Sequence, residues 1–159
     1  MGKITDEMNR NFSEYRNGID GFVKLNNGAF DTEKLSVTLS RIYDEINEDR
    51  KARGLGILKK NKIADYGDLT EAVVYSLFNG ARDNPNRDTL IKLCFGMGLA
   101  PDTANFLLRK CSKGELYIRN ERDCVILYFL RQFESKSAEE RLLTACNGKL
   151  KELGLDEIN

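Results

Sequence analysis

The chain has 159 residues, 41% hydrophobic and 31% charged, and its 25 Lys plus Arg are matched by 25 Asp plus Glu. That suffices for one domain with a real core, or a small domain with a helical extension, and it excludes a globally basic protein. The longest apolar run, Val125 to Leu130, is far too short to span a bilayer, and no N-terminal stretch has the pattern of a secretion signal, so a cytoplasmic protein without a membrane partner is expected.

The chain reads as almost entirely helical, because apolar residues recur three and four apart, β-branched alternation is scarce and only 2 prolines occur. Met8, Phe12, Tyr15, Ile19 and Phe22 form a narrow apolar stripe suited to a partner helix; Gly18 and Gly21 weaken it and Asn26-Asn27-Gly28 ends it. Asp31 is the expected N-cap of the next helix, with a hydrophobic staple between Phe30 and Leu35. That helix carries Leu35, Leu39, Ile42 and Ile46 on one face and stops near Gly54. A short helix over Leu58 to Tyr66 follows. After a turn, Thr70 caps a helix from Glu71 to Phe78, with Val74, Leu77 and Val73 inward and Asn79-Gly80 as terminator. A tight helix pair of this kind holds one short helix clear of the body, where it can enter a DNA major groove.

Asn86 is expected to cap a helix that buries Leu90, Ile91, Leu93, Cys94 and Met97 and ends at Gly98. Pro101 suits the first turn of another, running to about Cys111 with Phe106 and Leu107 inward. Ser112 to Arg119 reads as a loop, and Asn120 starts a strongly apolar helix through Phe133. Ser137 and Glu140 have the spacing of a capping box for the last helix, in which Asn147-Gly148 marks a break. No internal repeat is evident.

Cys94, Cys111, Cys124 and Cys146 lack the short spacing of a zinc grip, and each falls in an apolar helical pattern, so buried free thiols are expected. With no histidine and no phosphate-cradling glycine loop, neither an enzyme nor a bound metal or cofactor is expected. Arg50, Lys51, Arg53, Lys59, Lys60 and Lys62 form a basic cluster leading into the helix pair, either a phosphate-attracting patch or a solvated helix end.

Ala64 in the first helix of the pair, Leu69-Thr70 at the turn, Val74 and Leu77 in the second helix and Asn79-Gly80 make an ordered series. It continues through Arg82, Asn84-Pro85-Asn86-Arg87, Leu90, Leu93 and Gly98-Leu99. By this series the chain, from about Ser36 to Leu99, resembles the lambda-repressor-like, or Xre-type, helix-turn-helix family. Leu116-Tyr117-Ile118-Arg119-Asn120-Glu121-Arg122-Asp123, leading into an apolar helix, looks like the C-terminal extension of one group of small bacterial Xre-like proteins.

The resemblance covers about residues 36–146 and implies an all-α helix-turn-helix bundle; with the helical pattern elsewhere, the expected organisation is an N-terminal helical extension over residues 1–30, which has no counterpart in the family, a helix-turn-helix domain over 31–100 and a C-terminal helical extension over 101–159. It implies a sequence-specific transcriptional regulator of double-stranded DNA, as a homodimer built on the N-terminal stripe or the C-terminal helices. The second helix of the pair would be the reader, presenting Thr70, Glu71, Ala72, Tyr75, Ser76 and Asn79, while Lys60, Arg82 and Arg87 would contact phosphates. Two departures stand out. Asp68 holds the turn position usually occupied by glycine, with Gly67 one place earlier, and Asp tolerates the left-handed conformation. The reader also has no Lys or Arg and carries Glu71. The alternative is therefore a protein-interaction module, an adaptor or inhibitor, anchored by Tyr75.

Overall fold

Periodicity of three and four yields helices joined by loops over the described residues, 32–159 of a computed structural model, with no strand among them. The expected helix of residues 1–30, its Met8 to Phe22 stripe, the Asp31 cap and the Phe30 staple lie outside the described residues. Helix α1 spans Leu35–Ala52. Its N-cap residue is Lys34, with no side-chain cap, so Leu35 occupies the first helical position and not the fourth. The helix ends as expected, with Gly54 left-handed at φ 74°.

Helix α2 is the short Lys60–Tyr66, starting later than expected because Leu58 is held in an extended lead-in, 2% exposed. Asp68 takes the left-handed turn position at φ 51°. Gly67 answers a different need. A Cβ there would lie 2.6 Å from the Lys92 carbonyl oxygen, and one at Gly96 would lie 2.4 Å from the Ile63 carbonyl oxygen. Two glycines thus let the backbones of α2 and α4 touch, which fixes the angle at which the helix pair leaves the body.

Helix α3 is Glu71–Asn79; the Thr70 hydroxyl accepts the Val73 N–H at 3.2 Å, and Gly80 at φ 88° ends the helix. Helix α4, Arg87–Met97, is the hub: Asn86 caps it, and every residue from Leu90 to Met97 except Lys92 is buried. Pro101 opens α5, Pro101–Lys110, where Leu107 is buried and Phe106 half-buried. Helix α6, Glu121–Arg131, is capped by Asn120 and passes into a 3-10 turn, Gln132–Glu134. Lys34–Asn159 form one compact unit with a continuous apolar core.

The last helix departs from expectation. Ala138–Glu140 is a separate 3-10 turn, Arg141 is left-handed at φ 52°, and α7 spans Leu142–Glu152 with no side-chain cap. The Ser137–Glu140 spacing therefore builds no capping box: the chain needs those residues to turn a corner before α7 can begin. Asn147-Gly148 is no break either, because the Asn147 side chain has a tertiary partner.

That partner belongs to an arrangement the chain uses three times, on α1, α5 and α7. The Asn47 side-chain oxygen accepts the N–H of Leu58, 11 residues on, at 2.8 Å. Asn105 does the same for Leu116 at 2.7 Å, and Asn147 for Ile158 at 2.7 Å. In each case the residue seven places after the Asn is left-handed, namely Gly54, Ser112 and Gly154. The N–H after it returns to the last helical turn, with Leu55 on Arg50, Lys113 on Leu108 and Leu155 on Leu150, each at 2.8 Å. A side-chain amide thus clips the extended lead-in and drops one apolar residue into the core.

Between residues 87–117 and 122–159 this likeness extends to a reciprocal set of contacts. Arg87 pairs with Asp123 at 2.9 Å and Arg122 with Asp88 at 2.9 Å, a reciprocal exchange. Arg87 also donates to the carbonyls of Gly114 and Glu115, and Arg122 to those of Asp156 and Glu157, the matching positions before Leu116 and Ile158. Asp123 accepts the Tyr117 N–H at 3.0 Å, and Asp88 the Asn159 N–H at 3.1 Å. Each contact made one way is made back again, as at a two-fold axis.

Candidate nucleic-acid interface

Helix α3 has two unlike faces. Val74 and Leu77 are fully buried and Phe78 nearly so. Thr70, Glu71, Ala72, Tyr75 and Asn79 are exposed, Tyr75 at 49%. Ser76 is half-buried, its hydroxyl donating to the Val73 carbonyl at 2.8 Å. Beneath α3, Phe78 packs edge-on against Tyr43 of α1, with ring centroids 5.5 Å apart. The inner face anchors the helix, the Thr70 cap and Gly80 fix its ends, and a polar stripe with one phenol is left facing water.

The expected phosphate contacts divide. Arg82 is exposed, its backbone N–H on the Ser76 carbonyl at 3.0 Å, and the Asn79 side-chain oxygen accepts the Ala81 N–H at 2.8 Å, closing the loop after α3. The Lys60 ammonium sits 5.3 Å from the Tyr43 ring centre and 5.0 Å from that of Phe78. It is held by cation–π attraction at the edge of the α3 footing. Arg87 is not available. Its guanidinium is committed to both Asp123 oxygens and two backbone carbonyls, bonds that brace the fold.

The basic cluster is likewise thinned. Arg50 donates to Glu139 at 2.5 Å and to the Gly56 carbonyl at 2.7 Å, and Arg53 reaches Asp49. Lys51, Lys59 and Lys62 remain exposed. Acids share the surface: Glu71 and Asp83 are exposed, Asp68 lies 3.8 Å from Lys92, and Asp65 pairs with Arg141 at 3.0 Å. The rim around α3 mixes both signs.

Asp123 is the residue the sequence pattern concealed. It is 6% exposed at the start of α6 and ties that helix to α4. Glu139, hydrogen-bonded by Arg50, has its carboxyl pulled down to about 2. Burial raises the Cys94 and Cys146 thiols to about 12 and also raises Cys111. Cys94 and Cys146 are core residues as expected, Cys111 is half-buried, and Cys124 is exposed, contrary to expectation, because none of the described residues covers its side of α6.

Among the described residues no cluster of three or more His, Cys, Asp or Glu could hold a metal ion, and no helix is long and apolar enough to cross a membrane. An open cleft of about 580 Å³ lies beside the Asp88–Arg122 pair, and none of its lining residues comes from α2 or α3. Compared with known proteins, the chain matches no family model, no curated protein and no solved structure.

Proposed function

We propose that the chain is a sequence-specific DNA-binding regulator of the helix-turn-helix type, with α2 and α3 as the helix pair and α3 as the reader. The observation that carries this reading is the bare outer stripe of a short helix that is capped, anchored on aromatic rings and set at a fixed angle by the Gly67 and Gly96 contacts. Thr70, Glu71, Tyr75 and Asn79 would face base edges, where a carboxylate can accept from the cytosine amino group. Lys59, Lys62 and Arg82 would flank the phosphates, with Lys60 holding the footing.

The test is a titration against duplex DNA at several salt concentrations. About three phosphate contacts imply a log–log salt slope of roughly −2.7, hence about 40-fold weaker binding between 50 and 200 mM salt. Charge reversal at Lys62 and Arg82 should flatten that slope. No salt-dependent binding, or indifference to both reversals, refutes the proposal.

A second reading, a protein-interaction module on the same scaffold, is favoured by the mixed-sign rim and by Glu71 on a reader without Lys or Arg. Tyr75 would then be the interface anchor. Tyr75→Ala weakens binding in either case, so it locates the surface, while the salt titration identifies the ligand class.

A further inference from the structure

The two segments that exchange these contacts, residues 87–117 and 122–159, differ in one respect. Leu93 and Gly96 of α4 are buried, Gly96 against the Ile63 carbonyl of α2. Counting from Arg87 and Arg122, the equivalent positions of α6 are Tyr128 and Arg131, and both are exposed, Tyr128 at 67%. Among the described residues nothing covers α6 as α2 covers α4. We infer that this face of α6 is a homodimer interface, paired antiparallel with the same face of a second copy of the chain.

The occupant follows from the charge and shape of the stripe. Glu121, Cys124, Tyr128 and Arg131 are all exposed and spaced 3, 4 and 3 apart, so they share one side of the helix. An acid stands at one end and a base at the other, about 15 Å apart along the axis. Neither has an ion pair among the described residues. When two such stripes run antiparallel about a centre at position 126, Glu121 meets Arg131 and Cys124 meets Tyr128, each contact occurring twice. Parallel stacking would oppose like charges.

The shape agrees. Beside Cys124 lies a groove of about 420 Å³ lined by Ile118, Arg119, Glu121, Cys124, Leu153 and Leu155, a socket for the phenol ring that this register delivers there. Ile118 at 68% and Leu153 at 53% are otherwise apolar side chains left in water. A second copy thus supplies the aromatic knob, the apolar cover and both counter-charges. Pairing through α6 is independent of what α3 binds.

Sedimentation equilibrium of the full chain tests this. The wild type should dimerise, and Glu121→Arg or Arg131→Glu alone should raise the dissociation constant at least about tenfold. The double swap, Glu121→Arg with Arg131→Glu, should restore it to within about threefold. Tyr128→Ser should dissociate the dimer as well. All four substituted forms should keep the wild-type far-ultraviolet circular dichroism, because the positions are exposed. A wild type that stays monomeric up to roughly 100 micromolar overturns the proposal. So does a dimer indifferent to the single reversals, which would pair through another surface. Failure of the double swap to restore what the single reversals abolish overturns the antiparallel register and with it the proposal.

Discussion

Arg87→Met separates two roles for one residue. Its guanidinium donates to Asp123 at 3.1 and 2.9 Å, to the Gly114 carbonyl at 2.9 Å and to the Glu115 carbonyl at 3.2 Å. Methionine keeps the apolar stem and removes all of these donors. The Asp123 carboxyl, on a residue 6% exposed, then keeps only the Tyr117 N–H of its partners. Removing one member of a fully buried ion pair costs about 3–5 kcal/mol, but the Arg87 side chain is 29% exposed, so water recovers part of the loss. We expect about 2–3 kcal/mol, read as a lower urea midpoint at unchanged m-value. Adding Asp123→Asn removes the orphaned charge, so the double substitution should cost less than the sum of the single ones. If Arg87→Met changes stability by less than about 0.5 kcal/mol while abolishing DNA affinity, the guanidinium is a phosphate contact and the bracing role is wrong.

Gly96→Ala should destabilise by about 2–3 kcal/mol, because its Cβ would press on the Ile63 carbonyl and part α2 from α4. Gly148→Ala, inside α7 with nothing within 4 Å of the new methyl, should stabilise by about 0.5–1 kcal/mol; thermal unfolding of the pair checks both signs. The Glu139 carboxyl falls from 4.5 to about 2 on folding, so its contribution is complete above about pH 4.5 and disappears as pH falls through 2. With a 40% exposed Glu139 side chain that contribution stays below about 1 kcal/mol, and Glu139→Gln should remove it from the stability–pH profile. In dilute native protein, alkylation followed by mass spectrometry should modify Cys124 first and leave Cys94 and Cys146 unreacted until the chain unfolds.

Local signals were legible wherever a residue acts on its own neighbours. The Thr70, Asn86 and Asn120 caps, Pro101 at a helix start and the left-handed Asp68 all lie within one turn of what they organise. The inward Val74 and Leu77 of α3 followed from periodicity for the same reason. What escaped is tertiary. Asn105 and Asn147 grip residues 11 positions away across a loop, and from sequence an Asn-Gly pair in a helix resembles a stop. Arg87 looked like an exposed loop cation because its acceptor, Asp123, is 36 residues on. The likeness of the two segments hid because its spacing is not constant: the Arg-Asp pairs lie 35 residues apart but the clamping Asn residues 42, the 3-10 corner of the later segment intervening. Two Arg-Asp dipeptides, each opening an apolar helix and followed by an Asn and then an aliphatic residue 11 further on, were the available clue.

The reciprocal Arg–Asp exchange has an evolutionary consequence. In an assembly of identical subunits one codon change strikes both equivalent contacts at once; in a tandem polypeptide it strikes one, and its twin still holds the halves together. Loss of Arg87 therefore leaves the Arg122–Asp88 bridge standing, and loss of Arg122 leaves Arg87–Asp123. The two helices that carry these arginines differ in their surroundings: Leu93 and Gly96 of α4 are buried, whereas Tyr128 and Arg131 of α6 are exposed.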